Sequence, residues 1–204
     1  MNEKTKKYWL NENSSRYYKG DERLKYDIEF VGRYIKSDSV ILDLCCGEGY
    51  MSVEMSKKAS LVYAVDINAT FLDRMKGYDN IITVESDAVD YFCDQQLDLV
   101  TIFGAIQYNM GEDVRHIYEN CYKMLKTGGC LLVSGQWGIE NRVMVDSFSE
   151  ELQKSYFAEY RTLIEECDLL GKLGFTTELH KILPDRFNRF NNTKFMCIVA
   201  HKEV

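Results

Sequence analysis

Val40-Ile41-Leu42-Asp43-Leu44-Cys45-Cys46-Gly47-Glu48-Gly49-Tyr50 is the stretch on which the reading of this chain turns. Val40 to Leu42 is an apolar run that ends in an acid, the pattern of a strand buried on both faces of a parallel sheet. The small residues after it let the backbone approach a ligand closely. Met51, Val53 and Met55 then carry the apolar pattern into a helix. In open α/β sheets ligands sit beyond the carboxyl ends of such strands. The stretch is a strand–loop–helix ligand cradle, and the rest of the chain reads as its support.

Working outward, strand and helix patterns alternate. Leu24, Ile28, Val31 and Ile35 recur at helical spacing and predict a helix over 21–36, broken by Ser37-Asp38-Ser39. Before it, residues 3–20 are polar and aromatic and predict a short helix and a loop lying over the remainder. After the cradle, 61–66 is the second strand. Asn68 caps a helix that carries Phe71, Leu72 and Met75 and stops at Gly77. Residues 81–84 form a third strand, followed by a short helix over 88–93, and 97–103 form a fourth. Val114, Ile117, Tyr118, Cys121 and Leu125 mark a helix over 112–126. Thr127-Gly128-Gly129 ends it, before a fifth strand over 130–133. Helical connections of this length imply right-handed crossovers and a parallel sheet covered on both faces. The last third predicts a long helix over 148–171, then strands over 175–183 and 195–201. The segment 184–194 is too short for a crossover helix, so these two strands pair antiparallel.

Composition narrows the function. At 204 residues the chain fits one domain with a sizeable core, and 46% hydrophobic with 28% charged residues is ordinary globular usage. The net charge is -7 and the longest basic cluster is Lys4, Lys6, Lys7, which disfavours a nucleic-acid partner. Seven cysteines, several inside apolar segments (Cys93, Cys121, Cys130, Cys197), read as buried hydrophobes in a reducing, cytoplasmic setting. No Cys-x-x-Cys pair occurs, so neither a metal nor a redox motif is offered. The N-terminus is polar, and no run approaches the ~20 apolar residues of a membrane span.

Three acids end or follow strands: Asp43, Asp66 and Asp87. Singly, each reads as a helix cap or turn former. In a doubly wound sheet all three line one edge, above the crevice beside the first strand. An acid ending the second strand suits a ribose diol. Two nucleoside cofactors then compete. A nicotinamide fingerprint requires G-x-G-x-x-G, whereas Gly47 and Gly49 are followed by Ser52. A pyrophosphate would also be repelled by Asp43 and Glu48. A cationic ligand without phosphates suits this rim, and S-adenosylmethionine (SAM), with its ammonium, sulfonium and ribose diol, is such a ligand.

On these residues the chain resembles the class I SAM-dependent methyltransferase family over roughly 24–204. Residues 43–49 resemble its first motif, with Cys45 in place of the first glycine. Val65-Asp66-Ile67-Asn68, Ser86-Asp87-Ala88 and 98–103 are similar to its next three motifs, and 125–131 to the turn before its fifth strand. The resemblance implies a Rossmann-like, doubly wound, mixed α/β sheet of seven strands with an antiparallel C-terminal hairpin strand. It divides the single domain into an N-terminal helical cover (1–36), a SAM-binding core (37–136) and a C-terminal helix and hairpin (137–204). It implies that Asp43 and the backbone of Leu44, Cys45 and Gly47 hold the methionine end. Asp66 takes the ribose hydroxyls, Ile67 lies on the adenine, and Asp87 and Ala88 meet its edge. Phe103 and Ile106 flank the sulfonium.

Methyl transfer rests largely on positioning donor and acceptor. A hydroxyl acceptor also requires a base, and none is evident. His116 falls between stripe positions, which reads as a solvated helix face, and His180 and His201 read as structural. Tyr17 and Tyr108 are the other candidates. An acceptor pocket is expected from Tyr18, Gln107, Tyr108, Gln136 and Trp137, beside Tyr17, Lys19 and Asn109. Arg186 and Arg189 are candidates for an anionic group on the substrate. The expected function is transfer of a methyl group to nitrogen or oxygen of a small molecule, such as a sugar or specialised-metabolite precursor, by a monomer or homodimer. The alternatives are a catalytically silent SAM-binding or interaction protein and, behind it, an NAD-dependent oxidoreductase.

Overall fold

The computed structural model describes residues 3–11, 21–149, 154–188 and 190–203. Two N-terminal helices, α1 (Glu3–Leu10) and α2 (Glu22–Val31), precede an alternation of β1 (Val40–Leu44), α3 (Tyr50–Ser56), β2 (Leu61–Asp66), α4 (Ala69–Leu72) and β3 (Ile81–Glu85). Then come β4 (Leu97–Phe103), a 3-10 turn (Ile106–Tyr108), α5 (Glu112–Met124) and β5 (Leu125–Gly138). The chain finishes with β6 (Val143–Ser149), β7 (Lys154–Tyr160), α6 (Leu163–Lys172), β8 (Phe175–His180) and β9 (Thr193–Lys202).

The main sheet has seven strands in the order β3-β2-β1-β4-β5-β9-β8. Strands β1 to β5 run parallel, while β9 is antiparallel to both β5 and β8, so the expected reversed hairpin strand is present. The order turns back between β1 and β4, which puts the switch-point crevice over the loop that begins at Cys45. Alternate residues of the central strands feed opposite faces. Leu42, Val100, Leu131 and Val133 meet Val114, Ile117, Tyr118 and Cys121 of α5 on one side. Ile41, Leu99, Leu132 and Val199 meet Phe30 and Val31 of α2 and Met51 and Met55 of α3 on the other. Each such side chain contributes about 1.5–3 kcal/mol by leaving water.

Four expectations need correction. The long helix over 148–171 does not form. Its first half belongs to a separate two-stranded antiparallel ribbon, β6–β7, and only α6 is helical. Val143 and Val145 pack inward while Met144 is exposed, a period of two, and a capping box between Thr162 and Glu165 starts the helix later. No helix forms over 88–93: Asp87 makes a single turn, its carbonyl accepting from the Asp90 and Tyr91 amides and its carboxylate from the Val89 amide. The helix predicted over 21–36 stops at Val31, with Gly32 as its cap. The helix predicted over 112–126 stops at Met124, because Leu125 already pairs with Leu97. The fifth strand accordingly starts earlier and runs further than expected, held between β4 and β9. Among the described residues no helix is long and apolar enough to cross a membrane.

Candidate functional site

Three of the five residues from Cys45 to Gly49 have left-handed backbone: Cys45 (φ 62°), Gly47 (φ 56°) and Gly49 (φ 71°). This curls the chain over the ends of β1 and β2, and Asp66 holds the curl. Its Oδ2 accepts the Gly47 amide and its Oδ1 the Asn68 amide, each at 2.9 Å. The Cys46 amide donates to the Val65 carbonyl at 2.9 Å. A Cβ on Gly49 would overlap the Met75 side chain, so α3 enters against the 73–75 turn only with glycine there.

Under the loop, Asp43 is buried between neighbouring elements. Ser52 of α3 donates to its Oδ2 at 2.6 Å, and Thr101 of β4 to its Oδ1 at 2.9 Å. Burial outweighs those two bonds and lifts its pKa to about 6. Burial also raises Asp66, against the Asn68 and Gly47 amides. The third acid, Asp87, lies 3.2 Å from Lys6 of α1. Burial pushes the Cys45 and Cys46 thiols well above the usual range, so neither offers a thiolate.

These residues enclose one cavity of about 750 Å³, including its open mouth. Its walls come from the loop (Asp43, Cys45, Cys46, Gly47), the end of β2 (Asp66, Ile67), the turn after β3 (Ser86, Asp87, Ala88) and the end of β4 (Phe103, Gly104, Ala105). Met51, Phe71 and Tyr108 complete it, and Trp9 of α1 closes one side. Trp9 is held there by its carbonyl, which accepts from Asn68 Nδ2 at 2.9 Å, and by an edge contact with Tyr108 at 5.0 Å. Three carboxylates and no Lys or Arg line this wall among the described residues, a donor set that suits a cationic nucleoside and opposes a pyrophosphate.

The model of the methyltransferase-domain family matches residues 41–129, which contain this loop and all three acids. Over these residues the chain carries a methyltransferase domain, which supports the class I SAM-dependent methyltransferase family. Phosphoethanolamine N-methyltransferase of Plasmodium falciparum is 24% identical over 175 residues, covering 83% of this chain and 65% of that protein. An uncharacterized protein of Methanocaldococcus jannaschii is 31% identical over 85 residues, 39% of this chain and 33% of the relative. The chain therefore spans less than two thirds of either. The solved DhpI–SAH complex superposes with a TM-score of 0.76 at 19% identity, covering 98% of this chain and 96% of that one. The 1,6-didemethyltoxoflavin-N1-methyltransferase of Burkholderia thailandensis gives 0.73 at 13% identity, with coverages of 91% and 80%. At these identities the two structures share the fold.

Of the residues that the methyltransferase motifs single out, Asp43, Cys45, Gly47, Asp66, Ile67, Asp87, Ala88 and Phe103 all meet at the cavity, as does Tyr108. Leu44 and Ile106 do not: both point into the core beneath α5. Gln107 is buried, its Nε2 donating to the Gly104 carbonyl at 2.7 Å. Gln136 bonds to Thr193, and the Trp137 indole donates to the Met196 carbonyl at 2.9 Å; both are core residues of β5, away from the wall. His116 is exposed on the outer face of α5. Arg186 pairs with Glu22 on the surface at 2.5 Å. Tyr17, Tyr18, Lys19 and Arg189 lie outside the described residues. Trp9, Met51, Phe71, Gly104 and Ala105 were not anticipated. Gly104 follows a strand end with a positive φ of 68°, a signal available in the sequence as strand-then-glycine.

Proposed function

We propose that this methyltransferase moves the methyl group of SAM to a nitrogen of a small amine, with a hydroxyl oxygen as the second acceptor class. The observation that carries the reading is the set of three carboxylates around a left-handed loop at the switch point, walled by apolar side chains. When bound, SAM supplies an electrophilic methyl group on a sulfonium. Asp66, already fixed by two amides, presents its remaining lone pairs to the ribose hydroxyls. Asp87 and the Ala88 amide serve the adenine edge, with Ile67 on its face. Asp43 and the backbone from Cys45 to Gly47 serve the methionine end, without the Leu44 expected there. Phe103 and Ala105 flank the sulfonium, the place expected of Ile106.

An amine suits the site because the cavity wall holds no histidine, and Tyr108 is the one hydroxyl-bearing aromatic among its described residues. A primary amine loses one proton to water before it attacks as the neutral form, and a second from the methylated ammonium afterwards. No base is therefore needed at the moment of transfer, whereas a hydroxyl requires a proton acceptor in place. The Plasmodium relative is named for phosphoethanolamine; a wall of carboxylates disfavours its phosphate, so ethanolamine is tried beside it as the first acceptor. Proximity and alignment would supply most of the rate.

Calorimetric titration with S-adenosylhomocysteine, beside NADH, tests the cofactor. Transfer of labelled methyl from SAM to phosphoethanolamine, to ethanolamine and to a panel of amines and alcohols tests the chemistry. Binding of the homocysteine nucleoside with label on an amine is the expected result. NADH binding in its place would overturn the cofactor assignment. Nucleoside binding without transfer to any acceptor would favour a silent SAM-binding protein.

A further inference from the structure

One buried charged cluster lies outside the cavity and serves neither the sheet nor the three acids. Arg161, just past β7, is 5% exposed, and Glu166, in the first turn of α6, is wholly buried. Arg161 Nε donates to Glu166 Oε2 at 2.7 Å and its Nη2 to Oε1 at 3.1 Å. The Tyr118 hydroxyl of α5 donates to the same Oε1. Glu159 stands 3.6 Å from Arg161 Nη1, and Arg142 closes the outer side of Glu159 at 2.9 Å. A buried ion pair loses much of its Coulomb attraction to desolvation, and an apolar pair of similar volume commonly stabilises a core as well. Its retention here calls for a geometric role.

That role is visible in the third direction of the guanidinium. Arg161 Nη1 donates to the Asn109 carbonyl at 3.0 Å. Asn109 ends the 3-10 turn Ile106–Tyr108. This turn lies past the end of β4, beyond the reach of the sheet ladder. Its Tyr108 ring is a wall of the cavity, meets Trp9 and packs against Ala158 and Tyr160 of β7. Resting on the methyl-transfer reading, this is the side of the cavity open to an acceptor, past the residues assigned to the cofactor.

We infer that Arg161 is a positioning residue: it holds the Asn109 carbonyl and thereby fixes Tyr108 at the acceptor side. Glu166 and Tyr118 in turn fix the guanidinium. A planar fork with donors in three directions can grip Glu166 twice and still reach Asn109; a lysine ammonium at that place cannot do both.

The test uses 19F NMR on full-length protein labelled with 5-fluorotryptophan. The two tryptophans give two resonances, assigned with Trp9→Phe. Arg161→Lys keeps a charge beside Glu166 and loses the Asn109 bond, so the Trp9 resonance moves or broadens. Tyr118→Phe removes one bond from Glu166 and leaves Asn109 held, so that resonance stays. S-adenosylhomocysteine affinity changes by less than about twofold in both, while KM for the acceptor rises at least about tenfold in Arg161→Lys alone. An unmoved Trp9 resonance in folded Arg161→Lys overturns the assignment. So does an equal shift in both variants that follows their melting temperatures, the mark of a merely structural cluster. Where Arg161→Lys gives no folded protein, Glu166→Gln frees the guanidinium at constant volume, and the same resonance must move. The fluorine measurement needs no acceptor and no turnover, so loss of the methyl-transfer reading would leave it standing.

Discussion

Asp66 Oδ2 accepts the Gly47 amide at 2.9 Å, so the acid that ends β2 also shapes the loop that follows β1. Loop geometry and ligand charge are thereby joined in one side chain. Asp66→Ala removes the clamp on Gly47 and the partner proposed for the ribose together. The expected loss of S-adenosylhomocysteine affinity is about 1–3 kcal/mol, the range for losing charge-assisted hydrogen bonds. Calorimetry on the folded variant checks it, and unchanged affinity would remove Asp66 from the binding site.

Asp43 gives a pH dependence of definite sign. Its folded pKa is lifted from 3.8 to about 6, so between those values the folded state holds a proton that the unfolded state has released. Stability from this group is therefore present at low pH and falls as pH rises through that window, by on the order of 3 kcal/mol before levelling off. Asp43→Asn keeps the shape and removes the titration. Urea unfolding from pH 4 to 7.5 should show wild type losing ground to Asp43→Asn as pH rises, and a flat difference would refute the shift. A ligand ammonium nearby favours the ionised carboxylate, so SAM binding should tighten over the same window.

Much of this site is legible in sequence because it depends on local pattern. The run from Ile41 to Leu44 is buried, and the acids at Asp43, Asp66 and Asp87 stand where strand ends bring them together. The ribbon was not legible. Phe157 and Tyr160 stand three apart, a spacing that fits a helix as readily as a strand, and only the pairing of β6 with β7 decides between them. Reading one helix there also hid Arg161, since its partners Asn109 and Glu166, and the Tyr118 that holds Glu166, come from three separate elements. Trp9 stood in a short polar segment whose place over the cavity is set by Asn68 and Tyr108, neither near it in sequence.

Cys45 occupies a left-handed position, φ 62°, which costs an L-residue roughly 1–2 kcal/mol that glycine escapes. Its side chain also packs against the core beneath α5, so truncation alone loses contact. Comparing two truncations separates the effects. Cys45→Ala loses the packing and keeps the strain; Cys45→Gly loses the packing and relieves it. Cys45→Gly should be the more stable of the pair by about 1 kcal/mol in urea unfolding. The reverse order would mean that the loop is not strained at this residue.

Trp137 separates a core role from a substrate role. It is 1% exposed on β5, and its indole N–H donates to the Met196 carbonyl at 2.9 Å across the β5–β9 pair. Trp137→Phe keeps an aromatic ring but leaves that carbonyl lone pair unmet, at a cost of about 1–3 kcal/mol for a buried acceptor. The melting temperature should fall accordingly. Because no part of the ring reaches the cavity wall, S-adenosylhomocysteine affinity and acceptor KM should stay at the wild-type value. A variant that melts like wild type but binds acceptor poorly would move Trp137 back into the substrate site and count against Tyr108 in that role.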